Sequence, residues 1–141
     1  MKRLVIYIVI YIISVWAVDA RVWDRDILAR GYEKTVIAMP DDYSGRVVAT
    51  LIKSILNDST DKAILYIHGY NDYFFQAEMG ERFNSQGYNF YAVDLRKYGR
   101  SLLPHQRRFE VRDLKEYFAD IDSALSVMKE DGNKEVILVG H

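Results

Sequence analysis

Residues 63–72, AILYIHGYND, constrain the fold of this chain more than any other stretch. An unbroken apolar run that ends abruptly at His68-Gly69 reads as a strand buried on both faces of a parallel sheet. A glycine just past the carboxyl end of such a strand lets the backbone turn sharply and keeps space open above the sheet edge. That edge is where open α/β sheets bind their ligands. Taken alone, His68-Gly69 is better read as a plain strand-to-helix turn. A second match changes the balance, because VILVGH at 136–141 is again a strand running into a glycine, Gly140. It forms the first half of a G-x-S-x-G nucleophile elbow, with the serine as the next position after His141.

The other elements fall around these two strands. Residues 35–39 and 47–52 are β-rich runs separated by PDDYSG at 40–45, turn chemistry that predicts an antiparallel hairpin. Asp41 and Asp42 have no histidine or further carboxylate nearby to make a metal site and read as solvated turn residues. Residues 22–34 form a lead-in without a clear period, and 57–62 a polar loop. After Gly69 a helix is expected to about Gln86, capped by Asn71 or Asp72, with Phe75, Met79 and Phe83 at i, i+4 spacing and Gly87 at the C′ position. Phe75 is thereby assigned to the core; Tyr73 and Phe74 stay open between packing and an acyl-binding surface. Residues 89–94 read as the next parallel strand. Val111, Leu114, Phe118, Ile121, Leu125 and Met128 then recur at steps of three and four, a long sheet-covering helix that ends at Gly132-Asn133.

The first 20 residues, MKRLVIYIVIYIISVWAVDA, are of another kind. Lys2 and Arg3 precede an apolar stretch broken only by Ser14, and Val18-Asp19-Ala20 offers the small residues a signal peptidase reads. The stretch is shorter than the ~20 residues that span a bilayer comfortably. A cleaved signal peptide is the first reading and an uncleaved membrane anchor the second; both place residues 21–141 outside the cytoplasm or at a membrane. A core helix would need an amphipathic face, which this segment lacks.

Composition excludes several classes. A formal net charge of −1 gives no broad attraction to nucleic acid or to anionic lipid. With no cysteine, disulfides, thiolate catalysis and cysteine-ligated metals all fall away. Half of the residues are hydrophobic and 28% charged, a globular balance, and 141 residues allow one domain.

YIHGYND at 66–72, YAVDLRKYGRS at 91–101 and VILVGH at 136–141, in this order and spacing, resemble the α/β-hydrolase family. The resemblance is to its branch of monoacylglycerol lipases, lysophospholipases and serine-aminopeptidase-like hydrolases, over roughly residues 23–141. The resemblance implies an α/β class and the N-terminal part of an α/β-hydrolase fold: an antiparallel hairpin, then parallel strands with covering helices, the sheet incomplete. Strand 89–94 should lie beside 63–67, and 63–67 beside 135–139. The backbone N–H of Tyr70, just after His68 and Gly69, would be one donor of an oxyanion hole; the second would follow the nucleophile. The serine, acid and histidine of the triad would all lie beyond residue 141.

Residues 94–101 look like the family's D-x-R-G-H-G-x-S loop. Asp94, Arg96, Gly99 and Ser101 are in place, while Lys97 and Tyr98 stand where glycine and histidine are usual. Asp94 and Arg96 are expected to pair with each other and fix the loop. Ser101 has no strand-turn-helix elbow around it and is not the nucleophile. Arg96, Lys97, Arg100, Arg107 and Arg108 form a basic cluster, read as a solvated loop in preference to an anionic-substrate contact. His68 should brace the oxyanion loop, Gly140 and His141 open the elbow, and His105 is structural beside Pro104; none is placed as the base.

Two functions of different class follow. One is the N-terminal fragment of a serine hydrolase cleaving carboxylic esters (lipase, esterase or lysophospholipase-like). It would act on a small-molecule or lipid ester without metal or other cofactor, and would be inactive as this chain alone. The other is a non-catalytic interaction module, membrane-anchored or secreted, with a partial α/β-hydrolase fold. A Ser-x-Gly after His141, with an acid and a histidine further on, separates the two.

Overall fold

The hairpin is where the described chain becomes regular. The computed structural model describes residues 21–56 and 60–141; the signal-peptide or anchor reading of residues 1–20 lies outside the described residues. Strand β1 (Asp24–Arg25) pairs with the start of β2 (Glu33–Asp42), and β2 turns directly into β3 (Gly45–Ser54). The hairpin is longer than the sequence suggested. Pro40, which has no N–H to give a ladder, sits where the register shifts between Met39 and Asp42. The turn itself is closed by Asp42, whose Oδ1 accepts hydrogen bonds from the Ser44 N–H at 2.7 Å and its hydroxyl at 2.6 Å. Gly45 follows with φ at +90°. Burial alternates along β2, with Thr35, Ile37 and Met39 inward, whereas β3 is buried almost throughout.

Strand β4 (Lys62–Ile67), helix α1 (Ala77–Ser85), strand β5 (Asn89–Asp94), helix α2 (Glu116–Glu130) and strand β6 (Glu135–Gly140) complete the order. The six strands form one sheet, β1-β2-β3-β5-β4-β6. β3 meets β5 antiparallel, and β5, β4 and β6 are parallel, in the order that the family resemblance implied for these three. The apolar runs of β4 and β5 are buried because each has a neighbour on both sides and a layer on both faces. One layer is α2 over Leu51, Leu65, Tyr91 and Val93, with Ala124, Val127 and Met128 as its inward residues. The other is α1 and the 26–32 loop over Ile52, Ile64, Phe90 and Ala92. The carboxyl ends of the three parallel strands share one edge.

Three local expectations are corrected. Helix α1 starts only at Ala77, with Gln76 as its first flanking residue and no side-chain cap; Asp72 instead accepts from the Tyr73 N–H at 2.8 Å. Because the helix starts late, its apolar stripe is shifted. Phe74 is the ring fully buried between Tyr32, Tyr66 and Phe90, and Phe75 is half exposed. Gly87 does terminate the helix in the left-handed region, φ +89°. Helix α2 likewise starts at Glu116 rather than near Val111, and its buried face runs through Asp120, Ala124, Val127 and Met128. Leu114 and Phe118, expected on that face, are 71% and 61% exposed.

Candidate active site

Parallel pairing of β4 with β6 puts Ile67 opposite Gly140, so the two strand ends leave the sheet side by side. The His141 N–H donates to the Ile67 carbonyl at 3.1 Å. A Cβ on Gly69 would meet the His141 carbonyl oxygen at 3.1 Å and Nδ1 at 3.2 Å. Glycine at 69 is therefore set by close approach of the second strand end. Tyr70 follows with its side chain 81% exposed and its ring 5.5 Å from that of Phe109. Its backbone N–H meets no acceptor among the described residues, and Asp72 Oδ2 lies 3.7 Å from His141 Nδ1.

His68 holds this turn from beneath. It is buried; the Leu95 N–H donates to Nε2 at 3.0 Å, and Nδ1 lies 2.8 Å from the Gly69 carbonyl oxygen. An amide N–H can only donate and a carbonyl oxygen can only accept, so the ring proton is on Nδ1. One imidazole thus ties the end of β4 to the loop after β5. The Tyr98 ring lies 4.6 Å from the imidazole, and its hydroxyl is 3.1 Å from that of Tyr117.

The loop after β5 is built on buried ion pairs, though not on the expected one. Asp94 and Arg96 do not pair. Asp94, fully buried, accepts from the Phe74 N–H at 2.9 Å and from the Arg100 N–H and guanidinium, both at 2.9 Å. Arg100 then forks onto Asp26 at 2.8 and 2.6 Å. Burial alone would raise the Asp26 carboxyl, but the bonds and charge of Arg100 hold it below its usual value. Arg96 turns the other way, to Asp120 on α2, with contacts of 2.7 to 3.1 Å from its side chain and 2.9 Å from its N–H. Burial works to lower its pKa, and the Asp120 bonds and charge more than reverse this.

The solvated basic cluster is accordingly also corrected: Arg96 and Lys97 are buried, as is the Arg100 side chain, and only Arg107 and Arg108 face solvent. Asp42 is not a solvated turn residue either, since its carboxylate stands 2.8 Å from the Lys97 ammonium. Asp26, Asp42, Arg100 and Asp120 are the partners that sequence reasoning missed. Asp120 had left a signal, standing four residues before Ala124 and seven before Val127 on the buried stripe.

Gly99 closes the loop: its φ is +42°, and a Cβ would come 2.5 Å from Asp94 Oδ2 and 2.6 Å from Tyr73 Cβ. Ser101 is fully buried, its hydroxyl donating to the Asp94 carbonyl at 2.7 Å and 3.0 Å from Thr50 Oγ1. His105 takes no part in the site. Among the described residues, no group of three or more His, Asp or Glu could hold a metal ion. Beside Tyr70 a cleft of about 540 Å³ opens between the strand ends and the start of α2, walled by Leu95, Tyr98, Phe109, Leu114 and Phe118.

The family model for serine aminopeptidase S33 matches residues 58–141, more than half of the chain and all three of the strand-end motifs. The chain belongs to the serine aminopeptidase S33 family. Among solved structures, this S33 chain is similar to DcsB in complex with its substrate analogue. The identity is 20% and the TM-score 0.57, covering 76% of this chain and 36% of that one. It is similar also to a soluble variant of monoglyceride lipase from Saccharomyces cerevisiae in complex with a substrate analogue. There the identity is 19% and the TM-score 0.54, with coverages of 77% and 33%. At such identities the likeness is one of fold, and the fold is part of an α/β-hydrolase. The S33 chain spans about a third of the length of each of these structures. No curated protein sequence is significantly similar to it.

Proposed function

We propose that this S33-family chain is the N-terminal part of a serine hydrolase that cleaves carboxylic esters, with its Ser-acid-His triad beyond residue 141. One observation carries the reading: the Tyr70 N–H, without an acceptor among the described residues, and the Gly140-His141 strand end are brought side by side through the Ile67–Gly140 register. That arrangement suits an oxyanion hole with one donor at Tyr70 and the other just after a serine following His141. In the reaction the serine Oγ attacks the ester carbonyl and its proton passes to the histidine. The oxyanion collapses to expel the alcohol, which takes that proton, and water then releases the acid from the acyl-enzyme. The apolar cleft beside Tyr70 suits the acyl or alcohol part of a small or lipid-like ester, the chemistry for which the yeast monoglyceride lipase is named. Residues 1–20 direct the chain out of the cytoplasm, as a signal peptide or as an anchor.

Residues 1–141 alone supply one donor and no nucleophile, so they are expected to be inactive. Removing even one oxyanion donor costs roughly 10²–10³ in rate. The test is turnover of short acyl esters by the chain extended through the complete fold. Turnover is expected there and should vanish when the serine after His141 is changed to alanine. Turnover by residues 1–141, or its survival in the alanine variant, contradicts the reading. Starting the mature protein at Arg21 marks a cleaved signal; Met1 retained in a membrane fraction marks an anchor; Met1 retained on a soluble cytoplasmic product excludes both.

A further inference from the structure

The lead-in after residue 20 folds into something the sequence did not foretell. Asp26 to Tyr32 form a closed loop, its ends joined by the Asp26 N–H donating to the Tyr32 carbonyl at 2.8 Å. It is also fastened inside. The Asp26 carboxylate accepts from the Ala29 N–H at 2.8 Å while gripped by Arg100 at 2.6 Å, and Ala29 and Tyr32 are buried against the α1 layer. What this scaffold holds outward is apolar: Ile27 is 86% exposed and Leu28 50%. Arg25 and Arg30, both exposed, flank the pair and form no ion pair among the described residues. Arg21 is paired with Glu130 at 3.3 Å, and in the β1–β2 ladder Lys34 stands opposite Asp24 and Arg25 opposite Glu33. The Asp26 charge is spent internally on Arg100.

An apolar tip with a cationic rim matches the interface of an anionic bilayer, where the aliphatic groups enter the acyl boundary and the guanidinium groups meet lipid phosphates. Its position in the chain agrees. Only residues 21–26 separate Ile27 from the apolar N-terminal segment, and such a tether reaches at most ~25 Å when fully extended. The loop also lies at the β1 side of the sheet, opposite the open β6 edge. We infer that the loop 26–32 is a membrane-contacting loop, seated on an anionic phospholipid surface through Ile27 and Leu28 with Arg25 and Arg30 against the headgroups. The inference rests on the reading of residues 1–20 as a membrane-directing segment and gives that segment a second point of contact.

The absence of cysteine makes a local readout clean. The chain extended through the complete fold, carrying Leu28→Cys as its single cysteine and labelled with an environment-sensitive fluorophore, is compared with the same label at Ser126→Cys on the outer face of α2, in vesicles of phosphatidylcholine with or without phosphatidylserine. With phosphatidylserine, emission at position 28 is expected to shift blue, rise several-fold and be quenched by nitroxide-bearing lipid, while position 126 stays as in water. Adding Arg25→Glu and Arg30→Glu should remove most of the rise while the chain still floats with the vesicles. A chain that floats with its position-28 label as wet as its position-126 label overturns the loop and leaves the anchor standing. A chain that does not float, but whose position-28 label still responds to phosphatidylserine, loses the anchor and retains the loop. Equal responses at both positions, or a response indifferent to lipid charge and to the Glu substitutions, also overturn it.

Discussion

Lys97 shows how one residue can depart from a family pattern and still hold its place. Its φ is +65°, the left-handed region where a β-carbon costs roughly 1–2 kcal/mol and where the family's usual residue is glycine. The lysine offsets this by what its side chain reaches: fully buried, the ammonium stands 2.8 Å from Asp42 and 4.2 Å over the Tyr43 ring. It thereby fastens the hairpin turn to the loop after β5. Burial would depress the lysine, but Asp42 raises it; burial would raise Asp42, but Lys97 and Ser44 bring it down to about 2. In the full-length protein, Lys97→Met is expected to lose about 3 kcal/mol by leaving Asp42 without its cation. Lys97→Gly should lose less, and Asp42→Asn should restore most of the loss in either background; equal urea midpoints for all four variants would exclude the pair as a support. Because the folded Asp42 carboxyl titrates below its unfolded value near 4, its contribution is complete above about pH 4 and disappears as pH falls through about 2. The stability advantage of the wild type over Asp42→Asn should therefore be flat at neutral pH and shrink toward zero near pH 2.

At the scale of elements, α2 acts as a fastener for the loop beside the site. Asp120, the one buried carboxylate on its inward face, takes both the side chain and the backbone of Arg96. Asp120→Ala should lose about 3 kcal/mol in the full-length protein, because it leaves the buried Arg96 guanidinium with only Glu116, 4.0 Å away, as counter-charge; a melting point within a degree or so of wild type would show that the fork is dispensable. Strands β4, β5 and β6 and the hairpin were legible in the sequence because buried strands write continuous apolar runs and turns write glycine, proline and aspartate, while the order of the parallel strands came only from the family resemblance. The close approach behind Gly69 and the tie at His68 were legible only as motif positions. The ion pairs were not, since Asp26 and Arg100, or Asp42 and Lys97, lie far apart in sequence and are joined only by the sheet. The start of α1 was misread for a different reason. Phe74 packs as part of an irregular segment, and an i, i+4 pattern taken through Phe75 assumes a helix that has not yet begun.

At the scale of the molecule, β6 is an edge strand with Ile137 and Leu138 exposed, and Leu114 and Phe118 stand exposed around the start of α2. An apolar strand edge without a partner is a template for pairing with other chains. With a domain stability of only about 5–15 kcal/mol, a few such surfaces decide the outcome. Residues 21–141 alone are expected to aggregate or remain molten, with weak near-ultraviolet dichroism and strong binding of a hydrophobic dye. A monomer with a sharp cooperative melt and dispersed amide signals would count against the partial-hydrolase reading.

The central claim is that the strand end at Gly140-His141 presents a nucleophilic serine to the Tyr70 N–H, and covalent labelling addresses it directly. The chain extended through the complete fold is treated with a serine-directed fluorophosphonate, digested, and the modified residue located by mass spectrometry. A single modification on the residue that follows His141, with residues 1–141 alone unmodified under the same conditions, is the expected result. Modification of Ser101 or of any other serine within residues 1–141, or none in the extended chain, would contradict it.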